Sequence, residues 1–303
     1  MQKISFILNG RLRSKARLRY NINQRLLDQF LTCIYETISS GDAIHLAQHA
    51  IEDKTDYLIA AGGDGMLNEV VNGYMNSDEA LRKNVTLGLL PCGTGNDFAR
   101  TICMRNDIEQ LASLIENDQT QPVDIGEIQY KSLMGVTKTR YYINITDIGI
   151  GGLVVKTVNE SSKFLGPNLT YLKATIQAFF SYKHSKVRLT SDSFQWEGPI
   201  LSLCMANGRY FGSGICIAPQ ADVSDGQIQL VIMGNVSLMD YLKNMSKIKK
   251  GEILEHPEIH YEQVRSCRIE AIDGECPVDM DGEFIGYTPV ELNIKEHVLT
   301  FLR

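Results

Sequence analysis

The stretch YLIAAGGDG, residues 57–65, joins an apolar run to a glycine–aspartate loop, and LGLLPCGTGND, residues 87–97, repeats this arrangement. Each apolar run is typical of a buried strand, and each loop precedes a predicted helix. Glycine lets the backbone approach a phosphate closely, and N–H groups at the start of a helix face the anion. Because an aspartate in such a loop repels a bare phosphate, a cation is expected between the two. The two loops therefore predict a site for a nucleotide with its metal ion.

The first 125 residues alternate predicted strands with predicted helices. The strands are Ile4–Leu8, Leu58–Ala61 and Val85–Leu90, and the helices are 20–36, Ala43–Glu52, Asn68–Met75, Asn96–Cys103 and 107–116. This rhythm predicts a doubly wound parallel α/β domain over residues 1–122, with helices on both faces of its sheet. Ligands of such sheets bind at the carboxyl ends of the strands, which is where both glycine loops lie.

The pattern changes after Pro122, with a domain boundary expected between 122 and 126. Short β-type runs follow at Arg140–Thr146, Val187–Thr190, Ile200–Ala206, Ile228–Met233, Ser266–Ala271, Val278–Asp281 and Val290–Ile294, with helices at about 168–182 and 237–248. These runs predict an antiparallel β-sandwich or barrel over residues 123–303. We see no terminal segment that returns to the first domain.

Composition excludes several classes of function. The 303 residues carry a formal net charge of −6, which argues against a dedicated nucleic-acid binder. No run of 18 apolar residues is present, so no transmembrane helix is expected. The seven cysteines are scattered without a CxxC pair, which indicates reduced thiols in a cytoplasmic protein.

Further motifs stand in a fixed order along nearly the whole chain. They are Asn9-Gly10, Thr37, Gly41-Asp42-Ala43, residues 62–73, Gly93–Phe98, Val123–Gly126, Ala218–Gly226 and Asp281-Gly282-Glu283. In this order they resemble the diacylglycerol kinase catalytic family, in its soluble bacterial branch of lipid kinases. The GGDG loop alone would be weak, since NAD kinases and phosphofructokinases also carry it. Together with the later GTGND and DGE motifs it is specific.

The resemblance implies an ATP-dependent lipid kinase that phosphorylates the hydroxyl of a lipid such as diacylglycerol. It implies that the nucleotide lies between an α/β domain and a β-sandwich that completes the cleft. The implied ATP contacts are Asn9, Gly10, Thr37, Gly62, Gly63, Asp64, Gly65, Gly93, Thr94, Gly95 and Asn96. The implied catalytic residues are Asp64, Asp97 and Asp124 in a carboxylate–water–Mg²⁺ network, and Asp281 as general base with Glu283 beside it. A second, structural Mg²⁺ would be held by Asp222, Asp225 and the carbonyl of Ser224.

Simpler interpretations of the same residues stay open. Asp64 and Asp97 also suit turns or helix N-caps, and the 222–225 loop also suits a capped turn. Asp281 also suits a hairpin turn, and only the resemblance favours it over Asp279, two residues away on the same face of a strand. Met66 stands where the family has a hydroxyl residue, and the loop after Asn9 is unusually basic.

The partners follow from charge and from the resemblance. Basic residues alternate over residues 11–19, and a second cluster comprises Lys243, Lys247, Lys249 and Lys250. Such clusters are usually a solvated surface, and the first could also contact ATP phosphates. Either cluster could dock on an anionic membrane surface, which predicts peripheral membrane association. The apolar stripe from Leu165 to Tyr182 favours core packing, with an edge of the lipid entrance as the minor alternative. The family suggests a homodimer.

Two alternatives to a lipid kinase stay open: a soluble-substrate kinase of the NAD kinase type, and a lipid or nucleotide sensor that has lost turnover.

Overall fold

The computed structural model describes residues 1–160 and 167–303, which form two compact units. The first unit comprises Met1–Ile125 and Glu296–Arg303, and the second comprises Gly126–Lys295. Leu165 lies outside the described residues, as do the side chains of Leu169 and Leu172.

The first unit is a parallel α/β layer structure. Its strands are β1 (Lys3–Leu8), β2 (Leu31–Glu36), β3 (Tyr57–Gly62), β4 (Thr86–Pro91) and the start of β5 (Thr120–Ser132); its helices are α1 (Lys15–Leu26), α2 (Asp42–Glu52), α3 (Asp64–Met75), α4 (Glu79–Arg82), α5 (Asp97–Thr101) and α6 (Ile108–Glu116). The strand order is β4-β3-β1-β2, and all three pairings are parallel. This is the arrangement that the strand–helix rhythm predicts.

Small residues let the helices of the first unit pack closely. One face of α2 buries Ala43, Ala47 and Ala50, and α3 packs against it with Gly73 at the contact. A β carbon on Gly73 would stand 2.7 Å from that of Ala47, so only glycine fits there. The close approach fixes α3, which begins at the first glycine loop.

The predicted helix over 20–36 is wrong in its second half. Helix α1 ends at Leu26, and residues 31–36 form β2, which pairs in parallel with β1. The segment LTCIYE is rich in β-branched and aromatic residues, which favour strands. Its side chains are exposed or half-buried, so the apolar pattern of a buried strand is absent.

A terminal segment does return to the first unit, contrary to expectation. The end of β17 (Glu283–Leu302) runs parallel to β4, with Thr300 opposite Thr86 and Phe301 opposite Leu87. Phe301 is fully buried and packs edge-on against the ring of Phe98, at 5.8 Å between ring centroids. The last residues therefore belong to the core of the first unit.

The second unit is a predominantly antiparallel β structure with three helices among its described residues. Its remaining elements are β6 (Thr137–Tyr142), β7 (Ile145–Gly149), α7 (Ile150–Glu160), α8 (Pro167–Ser181), β8 (Ser185–Ser191), β9 (Gln195–Ile200), β10 (Ser202–Ala206), β11 (Tyr210–Phe211), β12 (Ile215–Cys216), β13 (Ile228–Met233), α9 (Leu238–Lys249), β14 (Ile259–Val264), β15 (Ser266–Ala271) and β16 (Pro277–Met280). The strand order is β14-β13-β10-β7-β16-β17, and β15, β8 and β9 continue from β17. The antiparallel β prediction is confirmed, although α7 was not anticipated.

Alternating side chains give the sheet of the second unit two buried faces. Leu203 and Met205 of β10 pack into one apolar cluster, whereas Cys204 and Ala206 pack into another on the opposite face. Helix α8 buries Ala174 and Ala178 in a third cluster, which confirms core packing for this part of the apolar stripe, but Phe180 is 81% exposed. Within the described residues, we find no helix that is long and apolar enough to cross a membrane.

Candidate active site

The two glycine loops meet at the carboxyl ends of β3 and β4. A β carbon on Gly63 would stand 3.1 Å from the Cα of Gly93, and one on Gly93 would overlap Gly63. The N–H of Cys92 donates to the carbonyl of Gly62 at 2.8 Å. Glycine at both positions therefore allows the loops to touch and leaves their backbone open to a ligand.

Asp64 ties the first loop to the second. Its Oδ1 accepts a hydrogen bond of 3.1 Å from the N–H of Phe98, at the start of α5. Burial raises the pKa of Asp64, while hydrogen bonds from neighbouring backbone amides oppose this rise. The half-buried carboxylate thus lies at the start of α3, directly after the two glycines of the first loop.

Asn96 closes the second loop upon itself. Its side chain accepts from the N–H of Gly93 at 2.9 Å and donates to the carbonyl of Gly93 at 3.0 Å. The backbone of Asn96 is left-handed, with φ of 50°, a conformation that asparagine tolerates better than most residues. Thr94 is exposed and Gly95 half-buried in this loop. The bonds from Asn96 fix the path of the chain into α5.

Asp97 and Asp124 are both buried acidic residues of the first unit. Asp97 is 6% exposed, and its Oδ1 lies 3.8 Å from Nε of Arg100. Asp124 on β5 is fully buried, and its Oδ1 accepts from the N–H of His297 at 2.7 Å. The Nε2 of His297 is 3.9 Å from the same oxygen. The terminal segment thus supplies a partner to Asp124 that local sequence patterns cannot reveal.

A solvent-open cleft of about 450 Å³ lies beside the first loop. It is lined by Asn9, Arg11, Thr37, Ile38, Ser39, Ser40, Met66 and Glu69. The hydroxyl of Thr37 accepts from the N–H of Gly10 at 3.2 Å, and a β carbon on Gly10 would overlap the carbonyl of Thr37. The predicted nucleotide contacts Asn9 and Thr37 therefore share one cleft, and Gly10 packs against its wall.

Glu69 is a cleft residue for which sequence reasoning gave no role. Its Oε1 accepts from the N–H of Gly41 at 2.9 Å, and its Oε2 from the N–H of Ala43 at 3.2 Å. These bonds hold the start of α2 beside the cleft. Glu69 and Gly41 both fall within quoted motifs, so a signal was present, but nothing local links positions 28 residues apart.

Asp281 is held against the turn that precedes β7 in the second unit. Its Oδ1 accepts from the N–H groups of Asn144 and Ile145 at 3.2 and 2.9 Å, and its Oδ2 from that of Ile143 at 3.2 Å. With φ of 48°, Asp281 lies in the turn after β16 rather than in a strand. The expectation of a strand through Asp281, with Asp279 on its same face, is therefore wrong.

Asp279 occupies a different environment. It is 7% exposed and lies opposite Asp147 in the pairing of β16 with β7. Burial raises the pKa of Asp279 well above its ordinary value, and the nearby Asp147 adds to the rise. Glu283, by contrast, is exposed, and its Oε2 forms an ion pair with Nη1 of Arg140 at 3.1 Å. Of the three acidic residues at this turn, Asp279 is therefore buried, whereas Asp281 and Glu283 are more accessible.

The loop of Asp222, Ser224 and Asp225 is a turn closed by its own side chains. Asp222 Oδ1 accepts from the N–H and the hydroxyl of Ser224 at 3.0 and 2.8 Å, and Asp225 Oδ1 accepts from the N–H of Gln227 at 2.9 Å. Both carboxylates are exposed. Among the described residues, no three histidine, cysteine or acidic side chains are grouped closely enough to form a metal site. Mg²⁺ bound by one or two carboxylates with phosphates and waters needs no such group.

A parallel α/β unit with two glycine–aspartate loops, together with an antiparallel β unit, defines a kinase of the NAD kinase and diacylglycerol kinase fold. Comparison of the sequence with known protein families leads to the same class. Residues 3–128 match the diacylglycerol kinase catalytic domain, and residues 144–303 match the YegS C-terminal NAD kinase beta sandwich-like domain. The chain therefore belongs to the diacylglycerol kinase family, whose members are lipid kinases that transfer phosphate to an alcohol.

Similar proteins span nearly the whole chain. Diacylglycerol kinase of Staphylococcus carnosus is 29% identical over 307 residues, which cover 95% of this chain and 94% of that protein. Diacylglycerol kinase of Bacillus subtilis is 30% identical over 272 residues, covering 88% and 84%. A crystal structure of a Bacillus anthracis protein assigned to the diacylglycerol kinases superposes with a TM-score of 0.79 at 26% identity, covering 99% and 97%.

Proposed function

We propose that this kinase transfers the γ-phosphate of ATP to the hydroxyl of a diacylglycerol-type lipid, that the reaction requires Mg²⁺, and that Asp281 is the general base. One observation carries the nucleotide half of this proposal. Gly63 and Gly93 bring two loops into contact, and Asp64 bonds one loop to the other. Such a cradle offers backbone amides to phosphates and a carboxylate to their cation.

The nucleotide would be bound by the first unit. Asn9 and Thr37 line the cleft beside the first loop, and the amides of residues 62–65 and 93–96 would hold the phosphates. Asp64, with Asp97 and Asp124 through waters, would hold the Mg²⁺, which when bound neutralises charge on the phosphates. Phosphoryl transfer depends mainly on such positioning and charge neutralisation.

Asp281 would accept the proton of the lipid hydroxyl. Three backbone N–H groups orient its carboxylate. Hydrogen bonds of this kind favour the ionised form, which is the form that a general base needs. Glu283 next to it is accessible and paired with Arg140, so it would assist through charge rather than accept the proton.

A second Mg²⁺ would stabilise the turn at Asp222 and Asp225, with the Ser224 carbonyl as a third oxygen ligand. Oxygen atoms closely spaced on one loop suit a hard cation. Mg²⁺ should therefore raise the melting temperature of the Asp64→Asn protein but not that of an Asp64→Asn/Asp222→Asn protein. An equal rise in the melting temperature of both proteins would contradict a second Mg²⁺ site in this turn.

The lipid acceptor implies peripheral contact with an anionic membrane, and the family suggests a homodimer. Sedimentation with vesicles would test the first of these, and sedimentation velocity at several protein concentrations the second. A protein that binds no vesicle of any composition would contradict membrane contact. A protein that stays monomeric at every concentration would contradict the homodimer.

The experiment that tests the function is transfer of label from [γ-³²P]ATP to a panel of acceptors. The panel contains diacylglycerol, a sphingoid base, ceramide and phosphatidylglycerol in mixed micelles, together with NAD in solution. We expect label on diacylglycerol, none after addition of EDTA, and none with Asp281→Ala. Label on NAD at a higher rate would establish the soluble-substrate alternative, and ATP binding without any labelled product would establish the sensor.

A further inference from the structure

Two buried aspartates face each other across neighbouring strands of the second unit. Asp279 of β16 is paired directly opposite Asp147 of β7, and the two residues are 7% and 3% exposed. Residues directly opposite each other in an antiparallel pair project from the same face of the sheet, with their β carbons about 5 Å apart. Neither the proposed nucleotide site nor the proposed proton transfer uses this pair of acids.

The two carboxyl groups have different hydrogen-bond partners. The donors to Asp147 include the hydroxyl of Ser202 and the N–H of Gly151, the latter at 3.0 Å. Oδ1 of Asp279 accepts from the N–H of Gly282 at 2.9 Å. Because hydrogen bonds from several donors favour the ionised form of a carboxyl group, Asp147 is the member of the pair that carries the charge.

The ionisable groups around Asp279 leave it protonated. Burial raises the pKa of Asp279, and the charges of Asp147 on β7, Asp281 in the turn and Glu283 on β17 raise it further. Burial also raises the pKa values of the other ionisable neighbours of the pair, which keeps them neutral: the thiols of Cys204 and Cys276 and the phenol of Tyr182. Because two buried carboxyl groups this close do not both ionise readily, the pair retains one proton at neutral pH.

The hydrogen bond from Gly282 to Asp279 belongs to the turn that carries the proposed base. Met280 pairs with Glu283, so Asp281 and Gly282 are the two central residues of a tight hairpin turn, with φ of 48° and 84°. Positive φ at both central positions is typical of a type I′ turn. Asp279 therefore fixes the N–H of the second turn residue, and the proposed base is the first.

We propose that Asp279 is a positioning residue: its carboxyl group, kept protonated opposite Asp147, holds the turn in the shape that keeps Asp281 in its catalytic position. This inference rests on the proposed function, because it assumes that Asp281 is the general base. A neutral carboxyl group accepts the N–H of Gly282 without adding a negative charge beside the base. An ionised Asp279 would add that charge, and repulsion within the turn would displace Asp281.

The protonation of the pair can be tested without any phosphoryl transfer. Protein labelled with ¹³C at the aspartate carboxyl carbons is titrated by NMR from acid to alkaline pH. The Asp147 signal, identified by its loss in Asp147→Asn, should titrate near pH 6. We expect a second carboxyl signal, missing from Asp279→Asn, to keep its proton after Asp147 has ionised. Ionisation of Asp279 before Asp147 would overturn the proposal.

The positioning role is tested by kcat with diacylglycerol and by ATP affinity. Asp279→Asn keeps an uncharged oxygen acceptor for the N–H of Gly282, so its kcat should stay near that of the original protein. Asp279→Ala removes the acceptor, and kcat should fall about 10- to 100-fold at unchanged ATP affinity, since misplacing a catalytic group by about 1 Å can cost about 10²-fold. Thr288→Val is the matched control, because it removes the acceptor for the buried N–H of Cys276 at the far end of the same hairpin. It should lower stability and leave kcat unchanged.

Three kinetic outcomes would overturn the positioning role: an unchanged kcat in Asp279→Ala, the same loss in Asp279→Asn, or the same loss in Thr288→Val. The N–H of Gly282 gives a readout that needs no lipid, because its NMR signal should be preserved in Asp279→Asn and shifted in Asp279→Ala. If this signal behaves as expected in a protein that phosphorylates no lipid, the result would count against the proposed function alone.

Discussion

Gly63 and Gly93 lie so close that a β carbon on the first would stand 3.1 Å from the Cα of the second. Neither residue owes its identity to a positive φ, so glycine is required here for proximity. The sequence shows two glycine loops, whereas the structure shows that they form one surface.

Gly93→Ala should separate the two loops, because its methyl group would overlap Gly63. We expect ATP to bind about tenfold more weakly, on the basis that overpacking costs about 1–3 kcal/mol. The measurement is calorimetric titration with ATP and Mg²⁺. Gly88→Ala is the matched control, since its added methyl would overlap Ile59 and Leu302 in the core and neither glycine loop, so it should lower stability but leave ATP affinity unchanged. Equal loss of ATP affinity in both variants would refute a shared phosphate surface.

Asp281→Asn should lower kcat about 10²–10⁴-fold, the range that general bases contribute. The first unit, and hence ATP affinity, should be unchanged. Steady-state kinetics with diacylglycerol, alongside ATP titration, would separate these quantities. Asp279→Asn is the comparison, because this buried acid is paired opposite Asp147. A larger kcat loss for Asp279→Asn than for Asp281→Asn would move the role of base to Asp279.

Met66→Ser should increase kcat/KM for ATP about fivefold or more. Met66 lines the cleft, and a hydroxyl there can donate to a phosphate, which is worth about 1 kcal/mol and more with a charged acceptor. Met66→Ala removes the same side chain without adding a donor, so it isolates the contribution of the hydroxyl. If the serine and alanine variants had equal kcat/KM, the missing hydroxyl would not limit this enzyme.

Stability should fall as pH rises through about 6, because of Asp147. Burial raises the pKa of Asp147 to about 6, so the folded state retains a proton that the unfolded chain releases near pH 4. The stabilisation is complete below pH 4 and is lost as pH rises through the folded pKa. Urea unfolding of the original protein should lose about 1 kcal/mol more between pH 5 and pH 8 than that of Asp147→Asn. Identical pH dependence in the two proteins would show that Asp147 does not titrate in this range.

Local sequence was sufficient for the parts of the fold that have a clear period. The buried strands β1, β3 and β4 are largely apolar, and α2 has a clear small-residue face. By contrast, β2 is exposed or half-buried throughout, so its apolar residues also fit the helical period of the segment before it. Helix α7 begins with two glycines in the sequence IGGLVV, which disfavours a helix. It forms beside Asp147, whose Oδ2 accepts from the N–H of Gly151 at 3.0 Å.

The same distinction applies to the candidate site, where local motifs could be found but distant contacts could not. Asp64 and Asp97 could be located because each belongs to a glycine loop, and the motif order indicated Asp281. The partners of these residues could not be predicted, because they come from distant positions. Asp281 is oriented by amides more than 130 residues earlier in the chain, and Asp124 contacts His297 of the terminal segment. Neither contact produces a periodic or compositional pattern in the sequence.

The most direct test of the central claim is the identity of the product formed from one lipid. Purified protein is incubated with ATP, Mg²⁺ and a single diacylglycerol, and the lipid extract is analysed by mass spectrometry. The account predicts the corresponding phosphatidic acid, with one ADP released for each molecule formed, and its loss with Asp281→Asn. ADP release without phosphatidic acid, or phosphatidic acid formed equally well by Asp281→Asn, would contradict it.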